Sequence, residues 1–350
     1  MKYRLLGNSG LRVSELCLGT MTFGKAWGWG ADNNECRKQF DLYLERGGNF
    51  IDTAINYTNG ESETIVGELA QPKRDQLVLA TKYTLNTRPG DPNAGGNQRK
   101  NMIASVEKSL KALRTDRIDL YWVHVWDQLT PIEEVMRGLD DLVRAGKVLY
   151  VGISDYPAWK VAEANTLAKL RGWTPFVALQ IEHSLAQRDV ERDLLPMARD
   201  LGLGVTPWGP LASGLLTGKY SKADIGPPPS IQQMMTSPDR KPMVASGLTE
   251  RKLAIAEEVK KVAKAVGRTP AQVALRWLMQ RPGITSVILG ARTSEQLKDN
   301  LGAAEFELAG DHIAALDKIS AIELGFPHAF INGPMVQQLI HGGVRIEPRV

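Results

Sequence analysis

Short apolar runs alternate with longer segments of helical periodicity along most of this chain, and no other feature limits the possible folds as much. The runs that we interpret as strands are SELCLG (14–19), NFID (49–52), LVLAT (77–81), IDLYWVH (118–124), VLYVGIS (148–154), FVALQ (176–180), LGVTPW (203–208) and TSVILG (285–290). Strands joined by helices pair in parallel, so eight such units form either a doubly wound sheet or a closed barrel. The short strands and the length of 350 residues favour an α/β fold with one (β/α)8 TIM barrel, residues 1–350 forming a single domain.

The segments between these runs place apolar residues three and four positions apart, which is the spacing of an amphipathic helix. We predict helices within 36–47, 101–113, 131–147, 189–202, 269–280 and 294–302. Thr269 and Thr293 precede two of these helices and are typical N-capping residues.

Three segments lie outside the repeat. Residues 1–13 resemble a short hairpin with GNSG as its turn, and 217–249 form a long insertion rich in proline, serine and methionine. Loops of that length are usually lids or binding loops, or else disordered. We expect the tail from about residue 323 to cover one mouth of the barrel.

Composition excludes several classes of protein. The chain has 43 basic and 39 acidic residues, which are interspersed, and a net charge of +4. It lacks the basic cluster with interleaved aromatic residues that nucleic-acid binding requires, and it lacks an apolar run long enough for a membrane span or signal peptide. Two cysteines and five scattered histidines indicate neither a disulfide framework nor a metal site. We therefore expect a soluble, cytoplasmic protein, either a monomer or a homo-oligomer.

Polar and aromatic residues follow nearly every candidate strand. Asp52, Lys82 and His124 stand at three strand ends, and Tyr57 follows Asp52 by five positions. Each residue taken alone is explained by capping, packing or solvation. In a TIM barrel, however, all strand ends meet at one mouth, and charges buried there must be paired.

These side chains form a coherent chemical set. A tyrosine hydroxyl is a weak acid, and a nearby ammonium lowers the pKa of the phenol by favouring its charged form. A carboxylate keeps that ammonium charged and oriented. Such a tyrosine can donate a proton to a carbonyl oxygen while a histidine hydrogen-bonds the same oxygen. The hydride that completes the reduction must come from a cofactor.

The cofactor site does not follow the Rossmann pattern, because no GxGxxG motif succeeds a strand. The segment GARTSEQLKDN after the last strand fits the alternative, a phosphate site at a helix N-terminus near the end of a barrel. Gly290 permits close approach there, and Arg292 offers a guanidinium for phosphate.

Seven separated motifs, in order, resemble the aldo-keto reductase family, in the branch of bacterial oxidoreductases and potassium-channel β subunits. They are FIDTAINY, ATKY, LYWVHVWD, GKVLYVGISDY, LQIEHSL, TPWGPLASGLLTGKY and GITSVILGARTSEQLKDNLGA. This resemblance implies a catalytic tetrad of Asp52, Tyr57, Lys82 and His124, with Tyr57 as the proton donor.

The same resemblance implies an NADPH/NADP+ site along the barrel mouth. Trp208 would stack on the nicotinamide, Ser154 and Gln180 would hold its carboxamide, and Thr20, Met21 and Asp52 would lie along the cofactor. The pyrophosphate would follow Gly209, Pro210, Leu211, Ser213 and Lys219. The adenosine end would contact Gly290, Arg292, Gln296, Asp299 and Asn300, with Arg292 near the 2′-phosphate.

The chain departs from the family pattern next to this site. The family usually has Asn or Arg after Ser154, whereas this chain has Asp155. On the substrate side, the loop TMTFGKAWGWG is aromatic and glycine-rich, and Trp126 comes shortly after His124. We expect Phe23, Trp27, Trp29 and Trp126 to line a pocket for an apolar or aromatic aldehyde or ketone.

Two other functions remain open from the sequence. A Schiff-base aldolase-type barrel would use Lys82 as its nucleophile and would need no NADPH. A regulatory subunit would bind NADPH with little turnover, as a channel β subunit does. We expect the NADP(H)-dependent reduction of an aldehyde or ketone to an alcohol.

Overall fold

A nearly closed barrel of parallel strands is the centre of the computed structural model, which describes residues 1–227, 230, 244, 247–344 and 346. The strands within these residues are β1 (Tyr3–Leu5), β2 (Arg12–Ser14), β3 (Leu16–Gly19), β4 (Phe50–Asp52), β5 (Val78–Tyr83), β6 (Ile118–Val123), β7 (Val148–Ser154), β8 (Ala178–Glu182), β9 (Gly204–Trp208) and β10 (Val287–Leu289). Eight of them form one parallel sheet in the order β10-β3-β4-β5-β6-β7-β8-β9. The edges meet where Val205 O accepts hydrogen bonds from Thr285 N (2.8 Å) and Ser286 N (3.3 Å). The predicted (β/α)8 barrel is confirmed.

Helices surround this barrel and bury their apolar faces against it. Those in the described residues are α1 (Asn33–Glu45), α2 (Glu61–Ala70), α3 (Arg99–Ala112), α4 (Ile132–Arg144), α5 (Ala158–Arg171), α6 (Leu194–Asp200), α7 (Glu250–Val266), α8 (Pro270–Met279), α9 (Ser294–Leu301), α10 (Gly310–Ser320), α11 (His328–Ile331) and α12 (Pro334–His341). Thr269 and Thr293 cap α8 and α9 as predicted, each accepting a hydrogen bond from a backbone N–H three residues on. Every helix in the described part of the chain is too short or too polar to cross a bilayer.

The strand pleat decides which side chains point into the barrel, because alternate residues face the same side. One buried cluster inside the barrel contains Phe50, Val78, Ala80, Leu120 and Trp122. Continuing each inward row by two positions leads to Asp52, Lys82 and His124. The same alternation that fills the barrel therefore also delivers these polar side chains to its C-terminal mouth.

The N-terminal hairpin closes the opposite end. β1 pairs antiparallel with β2, with Tyr3 opposite Ser14, as the sequence predicted for residues 1–13. Leu6 and Val13 are fully buried against the interior cluster. Arg4 fixes the hairpin to the segment before β10 by donating a hydrogen bond from Nη1 to Ile284 O at 3.0 Å. The hairpin thus seals the barrel floor with apolar side chains.

The two remaining segments outside the repeat differ in how much of them is described. Most of the predicted insertion 217–249 lies outside the described residues. The C-terminal tail is anchored by Arg192, which donates to Glu323 O at 2.8 Å, and by His328, whose Nε2 lies 3.0 Å from Asp193 Oδ1. Both contacts hold the tail beside the loop after β8, at the C-terminal end of the barrel, and its predicted position over the mouth stays a prediction.

Candidate active site

The four predicted tetrad residues meet at the C-terminal mouth of the barrel. Lys82 lies within β5, not after it as the sequence suggested, because β5 extends to Tyr83. Its Nζ contacts Asp52 Oδ1 and donates to Thr53 O at 2.9 Å and to the Tyr57 hydroxyl at 3.3 Å. The His124 ring stands edge-on to the Tyr57 ring, with centroids 5.9 Å apart.

The Lys82 ammonium is completely buried, so its charge depends on its partners. Burial by itself lowers the pKa of a lysine, but attraction to Asp52 and Tyr57, together with hydrogen bonds to both, raises the pKa of Lys82. Asp52 is in turn held from its other oxygen, because Gln180 Nε2 donates to Oδ2 at 3.0 Å. The site therefore contains a protonated lysine in a fixed position.

The other two residues carry their protons in complementary ways. Burial raises the pKa of Tyr57, and the opposing effect of Lys82 is in the predicted direction but smaller. Burial and the Lys82 charge lower the pKa of His124 to about 3, so its imidazole is neutral at physiological pH. Tyr57 is thus protonated and next to a cation, while the imidazole of His124 is uncharged.

A buried network that the sequence did not reveal holds the histidine loop. The Thr84 hydroxyl accepts from His124 N at 3.3 Å and from Asn97 Nδ2 at 2.9 Å. Asn97 also donates to Val125 O and accepts from Asp127 N and the Tyr156 hydroxyl. Thr84 has φ 102°, which is rare for a β-branched residue and is typical of strained functional sites.

Three further strand ends surround the tetrad. Ser154, at the end of β7, has a buried Oγ without a hydrogen-bond partner. Trp208, at the end of β9, is half-buried and donates from Nε1 to Asp155 Oδ1 at 3.2 Å. On β3's side, Thr20 is buried and donates from Oγ1 to Asp52 O at 3.0 Å, and Met21 next to it is half-buried. The Asp155–Trp208 contact was not apparent from the sequence because it joins two different strands.

The loop after β9 carries the residues expected along a pyrophosphate, namely Gly209, Pro210, Leu211, Ser213 and Lys219. Its backbone is left-handed at Gly209 (φ 65°), Ala212 (φ 47°) and Ser213 (φ 55°). Successive backbone N–H groups in such turns form concave anion sites.

The residues expected around adenosine cluster at the start of α9. Gly290 has open space on its Cβ side, Arg292 is exposed, and Arg292 N donates to Gln296 Oε1 at 2.9 Å. Asn300 is buried. Asp299 has a structural role, because its carboxylate accepts from Thr269 Oγ1 and Gln272 Nε2, both at 3.0 Å. Glu35 of α1, which the sequence did not single out, contacts Ser294 N at the beginning of α9.

Three of the four predicted pocket aromatics lie partly exposed at this mouth. The Trp27 ring is 5.6 Å from Trp29 and 6.3 Å from Tyr57. Trp126 stands 5.8 Å from Trp159 at the start of α5. The assignment of Phe23 to the pocket is corrected, because its side chain is fully buried in the core between sheet and helices. The carbonyl oxygen of Phe23 accepts a hydrogen bond from the Thr58 hydroxyl, which ties the loop after β3 to the helical turn that begins at Tyr57.

Comparison with known proteins agrees with this geometry. The family described as the aldo/keto reductase family matches residues 15–321, a span that contains all eight barrel strands. An aryl-alcohol dehydrogenase of Pestalotiopsis microspora is 38% identical, over 96% of this chain and 87% of its own length. A norsolorinic acid reductase of Aspergillus flavus is 39% identical, over 94% and 84%. An aryl-alcohol dehydrogenase [NADP(+)] of Phanerodontia chrysosporium is 35% identical, over 97% and 90%.

Proposed function

The chain belongs to the aldo/keto reductase family, and on that premise we propose that it is an NADP(H)-dependent oxidoreductase that reduces aldehydes or ketones to alcohols. Tyr57 is the proton donor of this reaction. The observation that carries the proposal is the buried Lys82 ammonium, held between Asp52 and the Tyr57 hydroxyl beside a neutral His124.

The proton transfer follows from the charges at the site. A protonated tyrosine can give its proton to a carbonyl oxygen as negative charge develops there. The phenolate that remains is stabilised by the Lys82 ammonium 3.3 Å away. His124 is uncharged and hydrogen-bonds the same oxygen, which orients the carbonyl group toward the tyrosine.

The cofactor supplies the hydride, and the residues at the mouth fit it. Ser154 Oγ is buried and has no hydrogen-bond partner, as expected for a group that binds a ligand amide. Gln180 lies on the neighbouring strand, paired in register with Ser154. The half-buried Trp208 ring offers an apolar face for the nicotinamide, and Asp52 and Thr20 border the same space.

The far end of the cofactor would follow the loop after β9 to α9. The left-handed turns at Gly209, Ala212 and Ser213 favour the pyrophosphate, together with Pro210, Leu211 and Lys219. Arg292 stands at the N-terminus of α9, where the helix dipole and a guanidinium both favour the 2′-phosphate of NADPH. Gly290, Gln296 and Asn300 would surround the adenosine, with Asp299 supporting α9 through its contacts to α8.

The substrate enters between aromatic side chains. Trp27 and Trp29 stand on one side of Tyr57 and Trp126 on the side of His124. Aromatic walls with few polar groups favour an apolar or aromatic carbonyl compound. The aryl-alcohol dehydrogenases among the relatives have names that agree with that substrate class.

The two other functions are less compatible with the electrostatics. An aldolase needs Lys82 unprotonated, whereas its partners raise the pKa of this lysine. A regulatory subunit would need no proton donor, whereas Tyr57 is protonated and adjacent to Lys82 and His124.

Titration of the purified protein with NADPH and, in parallel, NADH tests the cofactor site through quenching of tryptophan fluorescence. We expect tight quenching by NADPH and weaker quenching by NADH. Arg292→Ala should weaken the binding of NADPH by roughly tenfold or more, because a charged hydrogen bond to phosphate is lost. The affinity for NADH should stay nearly unchanged. Arg171→Ala removes the same charge from the last turn of α5, at the opposite end of the barrel, and should change neither affinity.

Turnover distinguishes the three functions. Loss of NADPH absorbance on addition of an aromatic aldehyde supports the reductase. Tight NADPH binding with no turnover of any aldehyde or ketone in a broad panel would favour the regulatory subunit. Borohydride trapping of a carbonyl substrate on Lys82, without a requirement for NADPH, would favour the aldolase.

A further inference from the structure

Asp155 is an acidic residue at a position where its backbone does not require one. It follows β7 with φ 48°, and its N–H donates to Gln180 O at 3.4 Å. Asparagine and aspartate both tolerate this left-handed conformation. Backbone geometry therefore does not explain why this position has the carboxylate of an aspartate and not the amide of an asparagine.

The carboxylate of Asp155 is fixed at the edge of the Trp208 ring. Trp208 Nε1 donates to Asp155 Oδ1 at 3.2 Å, and the buried Ser154 Oγ belongs to the preceding residue. Under the proposed function, Trp208 and Ser154 both contact the nicotinamide. A negative charge consequently lies within a few ångströms of where that ring binds.

The charge of Asp155 is not cancelled by the tetrad. Lys82 is already paired with Asp52, and both are buried together. Glu182, at the end of β8, adds a second carboxyl group to the same side of the mouth, where its charge acts on Asp155. Because Lys252 of α7 acts on Glu182, the carboxylate whose charge is left to act on the nicotinamide is that of Asp155.

We propose that Asp155 selects for the redox state of the cofactor. Its carboxylate raises the affinity for NADP+ relative to that for NADPH, compared with a neutral residue at this position. The nicotinamide ring is positively charged in NADP+ and uncharged in NADPH, whereas the rest of the molecule is the same. A nearby carboxylate attracts only the oxidised ring. This inference rests on the proposed function and adds to it that a fixed carboxylate sets the relative affinity for the oxidised and reduced forms of the cofactor.

The test is the ratio of the dissociation constants for NADP+ and NADPH in the unchanged protein and in Asp155→Asn. Asparagine preserves the backbone conformation and can still accept from Trp208, so only the charge is removed. We expect the variant to bind NADP+ roughly tenfold more weakly and NADPH within about twofold of the original affinity. Calorimetric titration measures both constants without turnover.

Asp116→Asn is the matched control. Asp116 is an exposed residue just before β6, at the opposite end of the barrel, and its substitution should leave both constants unchanged. Equal changes for NADP+ and NADPH in Asp155→Asn, or no change in either, would overturn the redox selection while leaving the proposed function intact. Failure of the unchanged protein to bind either nucleotide would overturn both.

Discussion

At the scale of single residues, the buried ion pair of Lys82 and Asp52 explains why a substitution of Tyr57 tests catalysis better than a substitution of either member of the pair. Removing Asp52 or Lys82 leaves an uncompensated charge inside the barrel, which costs about 3–5 kcal/mol of stability. Loss of activity in such variants would not separate catalysis from folding. The Tyr57 hydroxyl is different, because it contributes one hydrogen bond from a half-buried side chain.

Tyr57→Phe should therefore remove the proton donor and little else. We expect kcat/KM for an aromatic aldehyde to fall by about 10²–10⁴-fold, which is the usual contribution of a positioned acid. The dissociation constant of NADPH and the unfolding temperature should stay close to those of the unchanged protein. Steady-state kinetics and fluorescence titration provide the two readouts. If NADPH affinity fell in parallel with activity, Tyr57 would be a binding residue and not the donor.

Asp155 predicts a pH dependence of cofactor selection. Asp155 is exposed, yet the side chains around the mouth hinder its hydration; this effect and the charge of Glu182 raise the pKa of Asp155 to about 6, whereas its bond to Trp208 and the charge of Lys82 lower it. Within the described residues, Tyr57, Lys82 and Glu182 are the titratable groups whose charges interact with Asp155, and Lys252 in turn acts on Glu182. Above this pKa the carboxylate is ionised and favours NADP+, and bound NADP+ lowers the pKa further.

Affinity for NADP+ relative to NADPH should consequently decrease as the pH is lowered from about 8 to about 5. The 2′-phosphate also titrates near pH 6, but it is common to both cofactors and cancels in the ratio. In Asp155→Asn the ratio should be flat across this range. A ratio that varies equally in both proteins would assign the dependence to another group.

The sequence predicted well which residues lie at the mouth, but it predicted poorly which contacts they make there. Asp52, Lys82 and His124 follow from strand alternation, because a side chain two positions beyond an inward residue also faces inward. Their roles, and that of Tyr57, stay predictions. The burial of Phe23 and the contact of Asp155 with Trp208 depend on how separate loops pack, and no local pattern encodes that.

At the scale of elements, strands were easier to locate than helices. All eight barrel strands lie within two residues of their predicted bounds, since buried β-runs are short and bounded by polar residues. Helices α2, α5, α7, α10, α11 and α12 were not predicted. In α5 the pattern is blurred, because Trp159 and Leu170 are exposed although apolar. An apolar residue on the outer face weakens the periodicity on which such a prediction depends.

One inward row shows how neighbouring strands share space. Lys82, Trp122, Gly152, Ala178 and Gly204 are paired in register across β5 to β9. Trp122 is fully buried, and the row accommodates its ring because the next three residues are small. A Cβ added at Gly152 would lie 2.4 Å from Trp122 Cε3 and Cζ3, well inside contact distance.

Gly152→Ala should therefore overpack the barrel. We expect the free energy of unfolding to decrease by about 1–3 kcal/mol, the usual cost of inserting a methyl group into a filled core. Gly310→Ala is the matched control, because a Cβ there meets nothing within 4 Å. Denaturant unfolding measures both variants. Equal stability of Gly152→Ala and Gly310→Ala would show that Trp122 can move aside without cost.

At the scale of the whole molecule, the barrel separates the groups that stabilise the fold from those that act on a ligand. The hairpin and the interior cluster occupy the N-terminal end, whereas the tetrad, Trp208 and Arg292 lie at the other. In TIM barrels the N-terminal end supports stability and the C-terminal end carries function. Stability and cofactor binding should therefore respond to different substitutions.

Leu6 provides the sharpest test of that separation. It is fully buried at the barrel floor, so Leu6→Ala should lower the free energy of unfolding by about 2–5 kcal/mol through lost burial and a residual cavity. NADPH affinity, measured well below the unfolding transition, should remain within about twofold of the original, because the layers containing Phe50 and Trp122 lie between Leu6 and the mouth.

Leu5→Ala is the control, since the neighbouring Leu5 is 57% exposed and its truncation should change stability by less than about 0.5 kcal/mol. A large loss of NADPH affinity in Leu6→Ala would mean that the floor and the mouth are coupled through the interior cluster. The barrel would then transmit strain along its axis, and the strand ends at the mouth would depend on the hairpin for their positions.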